Sequence, residues 1–450
     1  MDGRAVGGPS TASTEPRPAD PEPFARLPRN IRPLGYRNYA LFWLGFLATN
    51  AGRWIELAGT VWLVYELTKS PFHLGLVGLA RAAPTIALSP IGGVIADRVD
   101  QRRLLSITQL LGFLASLTLG LLIVSGRVEV WHVYVQVLVQ STIMAFDASV
   151  RHALFPRLVP KAAIPEAVAL SVIAGRVSKM LGPAIGGVSI AVAGEAAPFL
   201  LNAGSFLVLV TAVRAMDYVV PRKPVVGATI RGDLVAGLRF MASDPVLSGL
   251  LKMELVFGIF QLNPVIITII GREGLNVSAE GLGGLLAAPA LGALVGIGGL
   301  LVFGQSIRPG RFVVISSLIY ATTLATVLLA NSYLATFGLL VTVGLFDSFL
   351  AVTRQSVMQV AAPGRMRGRI MANVGAVTRG FSPLAEAQSG FMIGIFGPAV
   401  AISVAASMIA LNGVTARLTN PTLWRYRFVR TIERESVVGA IRAPEGSTSE

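Results

Sequence analysis

Several long apolar segments of this chain carry charged side chains, and these side chains are the candidates for binding ions or transferring protons. In the first segment Arg53 and Glu56 are three residues apart, so a helix places them on one face. An ionisable group inside a hydrocarbon layer costs from about 2.5 kcal/mol upward, and such groups mark pathways or couplings. A carboxylate placed there can take up and release a proton. We therefore expect Glu56 and Glu386 to exchange protons.

Other charged residues in apolar segments complete a candidate coupling site or cavity. The seventh segment carries Lys252 and Glu254, which are two apart and cannot share one face closely. The full candidate set is Arg53, Glu56, Arg81, Lys179, Glu254, Arg379 and Glu386. A structural alternative stands beside this interpretation, in which Arg53 and Glu56 form a permanently ionised pair.

Two aspartates lie towards the ends of their segments. For Asp147 and Asp347 the sequence favours cytoplasmic salt bridges, for instance with Arg151 and Arg354. Trp54, Trp62 and Tyr65 could line a cavity for an amphipathic molecule, although helix packing or an interfacial belt also explains aromatic residues in such segments.

Composition decides the class of protein that must position these groups. The chain has 450 residues, of which 53% are hydrophobic and 14% are charged. Soluble domains are about 25% charged. Most of the chain falls into apolar segments of about 20 residues, the length that crosses a hydrocarbon core of about 30 Å. Backbone polar groups have no partners in lipid, so these segments must be helices. The sequence predicts an all-α membrane protein.

Apolar runs between charged residues predict twelve transmembrane helices in two groups of six. The spans are 38–66, 72–96, 103–125, 130–150, 164–193 and 196–217, then 246–270, 280–304, 311–330, 333–353, 368–394 and 396–416. The expected organisation is a disordered N-terminal tail 1–35, a first six-helix bundle 36–217, a linker 218–245, a second bundle 246–417 and a C-terminal tail 418–450.

The linker between the bundles has the pattern of a surface helix. Ile230, Leu234, Leu238 and Met241 recur at helical spacing with charged residues between them. This predicts a short amphipathic helix on the inner membrane surface.

The distribution of basic residues predicts the orientation. Lys and Arg concentrate in the tails and in the loops on one side, whereas the opposite loops carry only Lys69, Arg127 and Arg272. Cytoplasmic loops are the ones enriched in Lys and Arg, so both termini are expected to be cytoplasmic. The net charge of +14 then reflects topology, and no nucleic-acid partner is expected.

Residue types that would support other chemistry are scarce. The chain has no cysteine and only three scattered histidines, His73, His132 and His152, so no metal site and no cofactor are expected. No Gly-Lys dipeptide occurs, which excludes a Walker A phosphate loop. We expect no enzymatic activity.

The two halves repeat each other. Arg151-x8-Pro160 corresponds to Arg354-x8-Pro363, and Lys179-x3-Pro183 corresponds to Arg379-x3-Pro383. Two pseudo-symmetric six-helix bundles around a central cavity are a transporter architecture.

A charged hairpin and a glycine motif carry a family resemblance. Between the second and third spans the sequence GGVIADRVDQRR resembles the signature of the major facilitator superfamily, and its matching positions are Gly93, Asp97, Arg98, Arg102 and Arg103. Asp100 and Gln101 depart from that signature. In the fifth span Gly182, Pro183, Gly186 and Gly187 resemble the core of the antiporter motif, with Ala169 and Ser178 in place of its upstream glycines.

Further short motifs resemble one branch of that superfamily. The segments 62–70, 96–103 and 367–369 are similar to those of enterobactin-type exporters and related multidrug or macrolide efflux proteins. The resemblance covers roughly residues 36–417.

The resemblance implies a fold and a function. It implies a secondary transporter in the bacterial cytoplasmic membrane that exports amphipathic small molecules by alternating access, with proton antiport as energy source and no ATPase subunit. It also implies that Asp97 latches the two halves against the start of the eleventh helix. The Gly182-Pro183 and Ser382-Pro383 sites are expected bending points. The alternatives are a siderophore or lipid exporter of the same fold, and a membrane sensor or scaffold that transports nothing.

Overall fold

The chain is helical throughout the part that the structure describes. A computed structural model describes residues 28–98, 100–217, 230–303, 308–363 and 366–426; within these ranges it leaves out some side chains, among them 89–98, 230–236, Arg369 and Arg379. The helices are α1 (Arg37–Thr68), α2 (Pro71–Arg98), α3 (Gln101–Val124), α4 (Val130–Leu154), α5 (Ile164–Ala193), α6 (Ala197–Arg214), α7 (Ile230–Ser243), α8 (Pro245–Phe260), α9 (Pro264–Ile269), α10 (Ala279–Phe303), α11 (Pro309–Thr326), α12 (Tyr333–Ala361), α13 (Arg367–Phe396), α14 (Pro398–Thr419) and α15 (Pro421–Arg425).

Proline and glycine fix many of these helix ends. Proline lies in the first turn of α5, α6, α8, α9, α11, α14 and α15, where the missing N–H costs no hydrogen bond. Helices α5 and α13 are both 30 residues long, contain an internal proline and stop at a glycine with φ +82° or +84°, Gly194 or Gly397. These shared features extend the repeat seen in the sequence.

The seventh predicted span is interrupted. It divides into α8 and α9 at 261–263, and a five-residue π-helical turn, Ile270–Gly274, follows α9. The Asn263 side-chain oxygen accepts from the N–H groups of Val265 (3.1 Å) and Ile266 (3.3 Å), so it caps a new helix. The tenth predicted span is longer than expected: α12 continues to Ala361, eight residues beyond the predicted end.

Eight helical segments of the described chain are long and apolar enough to cross a membrane: 101–124, 161–193, 197–214, 245–274, 279–302, 309–329, 333–361 and 398–419. The other long helices are α1, α2, α4 and α13, of 25 to 32 residues, and each has charged residues in its interior. The predicted amphipathic linker helix is α7, which packs on α8 and α13.

Helices α1–α6 pack on one another, as do α8–α14, and the two most extensive contacts between the groups in the described structure are helix crossings. In one crossing α5 meets α10: a Cβ built on Gly283 would lie 2.6 Å from the Pro183 carbonyl oxygen. In the other, α2 meets α13: a Cβ on Gly75 would lie 3.0 Å from the Ala387 carbonyl oxygen. Only glycine permits such close backbone approach.

Both crossings lie towards the same end of the bundle. Gly75 and Gly283 are near the N-terminal ends of α2 and α10, and α2 begins directly after the turn around Lys69. We call this the Lys69 end and the opposite one, where α3 begins, the Arg102 end.

Candidate functional site

A central cavity of about 630 Å³ lies between the two helix groups. Its wall includes residues from α1, α2, α4 and α5 on one side and from 261–264, α10, α11, α12 and α13 on the other. Five of the seven candidate charged residues line it: Arg53, Glu56, Arg81, Lys179 and Glu386. A concave site of this size that is formed by both groups suits a small organic molecule.

Glu386 makes an ion pair across the two helix groups. Arg81 Nη1 of α2 donates to both carboxylate oxygens of Glu386 in α13, at 3.0 and 2.9 Å. Glu386 is 6% exposed. The pair lies beside the α2–α13 crossing, where a Cβ on Gly78 would be 2.7 Å from Glu386 Cβ. The contact between the groups therefore includes a charge pair that a proton could break.

Glu56 is held differently, by neutral donors of its own helix group. Ser116 of α3 donates to Oε2 at 2.7 Å, Gln136 of α4 donates to Oε1 at 2.6 Å, and Asn202 of α6 donates to Oε2. Arg53 forms no ion pair with it in the described structure, so the alternative of a structural Arg53–Glu56 pair is wrong. Arg53 and Glu56 project from the same face of α1, but the Glu56 carboxylate accepts its hydrogen bonds from the three neighbouring helices instead.

Arg53 and Lys179 line the cavity, and no carboxylate among the described side chains contacts either of them. The Arg53 guanidinium donates to the Asn50 side-chain oxygen and to the Met144 sulfur. Lys179 makes no hydrogen bond or ion pair within the described residues, and its Nζ lies 5.5 Å from the ring centre of Trp54. Trp54 lines the same cavity, whereas Trp62 and Tyr65 do not.

The two aspartates have different surroundings. Asp147 pairs with Arg151 at 3.1 Å, as the sequence favoured. Asp347 does not pair with Arg354, and that prediction is wrong: Arg354 Nε lies 3.1 Å from Glu254 Oε2. Because α12 extends to Ala361, Asp347 is near its middle and lines the cavity. Sequence reasoning missed this residue because the helix end was placed too early.

Glu254 lies behind the cavity wall. Besides its contact with Arg354, it accepts from Thr378 Oγ1 at 3.0 Å. Lys252 is exposed on the other face of α8, as the spacing of two predicts. The side chain of Arg379, another candidate, lies outside the described residues.

Polar contacts add to the glycine crossings at the Lys69 end. Arg272, in the π-helical turn, forms an ion pair with Glu66 of α1 and lies 4.2 Å from the ring centre of Trp62. Tyr65 Oη donates to Glu273 Oε1 at 3.3 Å. These contacts join the two helix groups at this end.

The antiporter-like motif forms close helix contacts. A Cβ on Gly182 would clash with Trp54 of α1, and one on Gly186 would lie 2.7 Å from the Ile55 carbonyl oxygen. Gly187 faces α10, where a Cβ would be 3.0 Å from Gly283 Cα. Pro183 lines the cavity between these contacts. The motif thus allows α5 to touch both α1 and α10.

The charged hairpin is described only in part. The surroundings of Gly93 and the side chains of Asp97 and Arg98 lie outside the described residues. Asp100 accepts from the N–H groups of Arg102 (2.9 Å) and Arg103 (3.2 Å) and so caps α3. Arg102 Nη2 donates to the Arg214 carbonyl oxygen at 2.6 Å, at the end of α6. The departure from the family signature at Asp100 therefore has a structural reason.

Comparison with known proteins identifies the family. A family model described as transmembrane secretion effector matches residues 29–442. The chain belongs to this family of major facilitator superfamily transporters.

Curated relatives are transporters and efflux proteins of low identity. The uncharacterized MFS-type transporter YfiS of Bacillus subtilis is 24% identical over 87% of this chain and 95% of its own. The multidrug efflux pump Tap of Mycolicibacterium fortuitum is 25% identical over 76% and 86%, and the enterobactin exporter EntS of Shigella flexneri is 24% identical over 81% and 87%. The predicted resemblance to this branch is confirmed.

Solved structures share the fold. The nucleoside transporter NupG superposes with a TM-score of 0.67 at 12% identity, covering 89% of this chain and 100% of its own. A bacterial homologue of the lysosomal transporter Spinster, in an inward-facing and unoccupied conformation, gives 0.65 at 13% identity, covering 86% and 95%. The chain is therefore a multi-pass membrane protein with a major facilitator fold.

Proposed function

We propose that this protein is a secondary active exporter that moves amphipathic small molecules across the cytoplasmic membrane by alternating access, coupled to proton antiport. The observation that carries the proposal is the central cavity, which both helix groups line and which the α2–α13 and α5–α10 crossings close at the Lys69 end. Rocking of one group against the other around this cavity would expose it alternately to the two sides.

The proposed topology has twelve transmembrane helices. Helices α1, α2, α4 and α13 are long enough to cross, and their charged residues Arg53, Glu56, Arg81 and Glu386 face the cavity rather than lipid. The bundles are then 36–217 and 246–417, with cytoplasmic tails 1–35 and 418–450 and the linker 218–245 between them.

The distribution of Lys and Arg supports one orientation of the molecule in the membrane. The loops at the Lys69 end carry few basic residues, which supports an outer position for that end and cytoplasmic termini. With the Lys69 end outside and closed, the conformation is inward-facing. Asp97 would latch the halves in the opposite conformation, and Pro183 and Pro383 would be the bending points.

Glu386 is the proposed proton carrier. Its only charged contact in the described structure is Arg81, and that contact joins the two halves. A proton on Glu386 removes its charge and releases Arg81, which weakens the α2–α13 contact. Proton uptake from outside would therefore accompany opening of the outer end, and Glu56, buried among neutral donors, is the second candidate.

The substrate is proposed to be drug-like, with a siderophore as the alternative. The relatives include both a multidrug efflux pump and enterobactin exporters. A lipid exporter of the same fold and a membrane sensor or scaffold that transports nothing are the remaining alternatives. The cavity of about 630 Å³ with paired and unpaired charges on its wall favours a transported organic molecule over a sensor.

Proton movement in liposomes tests the proposal. The purified protein is reconstituted with a pH-sensitive dye inside, and candidate substrates are added under a pH gradient. Substrate-dependent proton flux is expected from the wild type, and Glu386→Gln should abolish it while the protein stays folded. The matched control is Glu280→Gln, an exposed carboxylate at the start of α10. Wild-type flux in Glu386→Gln would remove this residue from the mechanism; substrate movement without proton flux would contradict antiport.

A further inference from the structure

Charge on the cavity wall is divided between the two halves. The lining cations Arg53, Arg81 and Lys179 all belong to the first half, whereas the acids Asp347 and Glu386 belong to the second. Glu56 is the exception, and its carboxylate is occupied by three neutral donors. Since Arg81 is paired with Glu386, two cations described on the first-half wall, Arg53 and Lys179, have no carboxylate in contact.

Arg53 has more N–H donors than it has acceptors in the described structure. A guanidinium has five N–H donors, and those of Arg53 meet two neutral acceptors, Asn50 and Met144. The Arg53 side chain is half-buried, and removing a cation from water without a counter-ion is costly. The planar guanidinium suits two-pronged contact with an acidic oxygen group. An anionic ligand would supply the missing counter-charge.

Lys179 and Trp54 extend this surface. The exposed Lys179 side chain faces the cavity and lies over Trp54, which follows Arg53 directly in α1. An indole ring provides a flat apolar platform for an aromatic ligand. Asp347 lines the opposite side of the cavity and forms no ion pair with Lys179 in the described structure, and the Lys179 side chain is exposed, so its ammonium group remains accessible.

We propose that Arg53, Trp54 and Lys179 form a binding site for amphipathic anions, in which an aromatic body lies on Trp54 and one acidic oxygen group is held by Arg53 and Lys179. This inference names the substrate class of the proposed transport function and rests on it. The opposite assignment, a cation held by Asp347, is less favoured because two cations that contact no carboxylate in the described structure, Arg53 and Lys179, face this one acid across the cavity.

Two dyes of one scaffold and opposite charge test the site. Fluorescein is an anionic xanthene and rhodamine 6G a cationic one. Their binding to the full-length protein in lipid nanodiscs is measured by fluorescence anisotropy, without any ion gradient. The wild type should bind fluorescein more tightly than rhodamine 6G. Arg53→Gln and Lys179→Gln should each weaken fluorescein binding by about tenfold, the loss expected for one charge-assisted hydrogen bond, and should leave rhodamine 6G binding unchanged or tighter.

A matched lysine provides the control. Lys252 lies in a membrane helix but does not line the cavity, so Lys252→Gln should bind both dyes as the wild type does. A thermal unfolding transition shows that each variant is folded. Arg53→Lys keeps the charge and should retain most of the affinity for fluorescein; it replaces Arg53→Gln in the experiment if Arg53→Gln does not fold.

Three results would overturn the site: no measurable fluorescein binding to the wild type, fluorescein binding that neither substitution weakens, or tighter rhodamine 6G binding that Asp347→Asn abolishes. The last result would assign the site to cations. Because binding is measured without a gradient, tight fluorescein binding together with absent proton flux would leave the anion site standing and would contradict the transport proposal alone.

Discussion

At the residue scale, the two buried glutamates of the cavity differ in their partners, and their substitutions should differ in effect. Glu56 accepts from Ser116, Gln136 and Asn202. In Glu56→Gln an NH₂ group replaces one acceptor, so at least one buried donor loses its partner, at about 1–3 kcal/mol. We expect Glu56→Gln to lower the melting temperature in detergent clearly. Glu386→Gln should lower it less, because its amide oxygen still accepts from Arg81 and the Arg81 side chain reaches the cavity, although the charge pair is lost.

The exposed Glu280 again supplies the control, since Glu280→Gln should melt as the wild type does. A Glu56→Gln protein of unchanged stability that has lost proton flux would show that Glu56 couples transport rather than stabilising the first half.

The same residues show what the sequence could and could not predict. Charge inside apolar segments pointed to Arg53, Glu56, Arg81, Lys179 and Glu386, all of which line the cavity. Their partners could not be predicted, because the rotation of each helix about its axis is set by packing against neighbours distant in the chain. Arg354 therefore pairs with Glu254 rather than with Asp347, and Asp347 is left on the cavity wall.

At the element scale, the close contact of glycines between α2 and α13 should stabilise the conformation that is closed at the Lys69 end relative to the open one. A Cβ on Gly390 would clash with the backbone of Gly75 and lie 2.8 Å from the Pro71 carbonyl oxygen. Backbone atoms cannot rotate away, so Gly390→Ala should push the two halves apart at the Lys69 end. A shift of about 1 kcal/mol changes the ratio of the two states roughly fivefold. In whole cells, a cysteine replacing Thr85 on the cavity wall should then react faster with an external, membrane-impermeant maleimide.

Two other glycines serve as controls for that experiment. Gly338→Ala should change nothing, because a Cβ there meets open space. Gly344 touches the Pro289 carbonyl oxygen within the second half, so Gly344→Ala should lower stability without increasing the labelling of folded protein. Unchanged labelling in folded Gly390→Ala would contradict a role of this crossing in closing the outer end.

Helix positions were easier to predict than helix interruptions. The apolar run between charged residues placed α5 at its observed bounds, 164–193, because this signal is local. The break between α8 and α9 has a local signal too, the Asn263-Pro264 dipeptide. This signal was missed because the residues on both sides of it are apolar. Val265, Ile266 and Ile267 continue the hydropathy of α8, so the sequence predicts one uninterrupted span.

At the scale of the whole molecule, alternating access requires the Lys69 end to open during each cycle, and a covalent link across it should stop transport. A Cβ built on Gly394 of α13 would lie 3.2 Å from Phe72 Cβ of α2, close to the separation of about 3.5–4.5 Å found in disulfides. The chain has no native cysteine, so Phe72→Cys and Gly394→Cys can be introduced into an otherwise unchanged background. Oxidation of the double variant should abolish substrate-dependent proton flux in liposomes, and reduction should restore it.

The reduced double variant and the two single variants are controls that distinguish the effect of the disulfide from the effects of the substitutions and of the oxidant. Each single variant should show the same substrate-dependent proton flux before and after treatment with oxidant. The reduced double variant should show this flux too, because neither a single cysteine nor a pair of thiols links the two halves covalently. The disulfide at the Lys69 end should leave the opposite opening of the cavity accessible. The oxidised protein in nanodiscs should therefore still bind a small dye, although its substrate-dependent proton flux is lost. Full proton flux in the cross-linked protein would mean that this end does not open during transport, and the two-sided cycle proposed for the cavity would then be wrong.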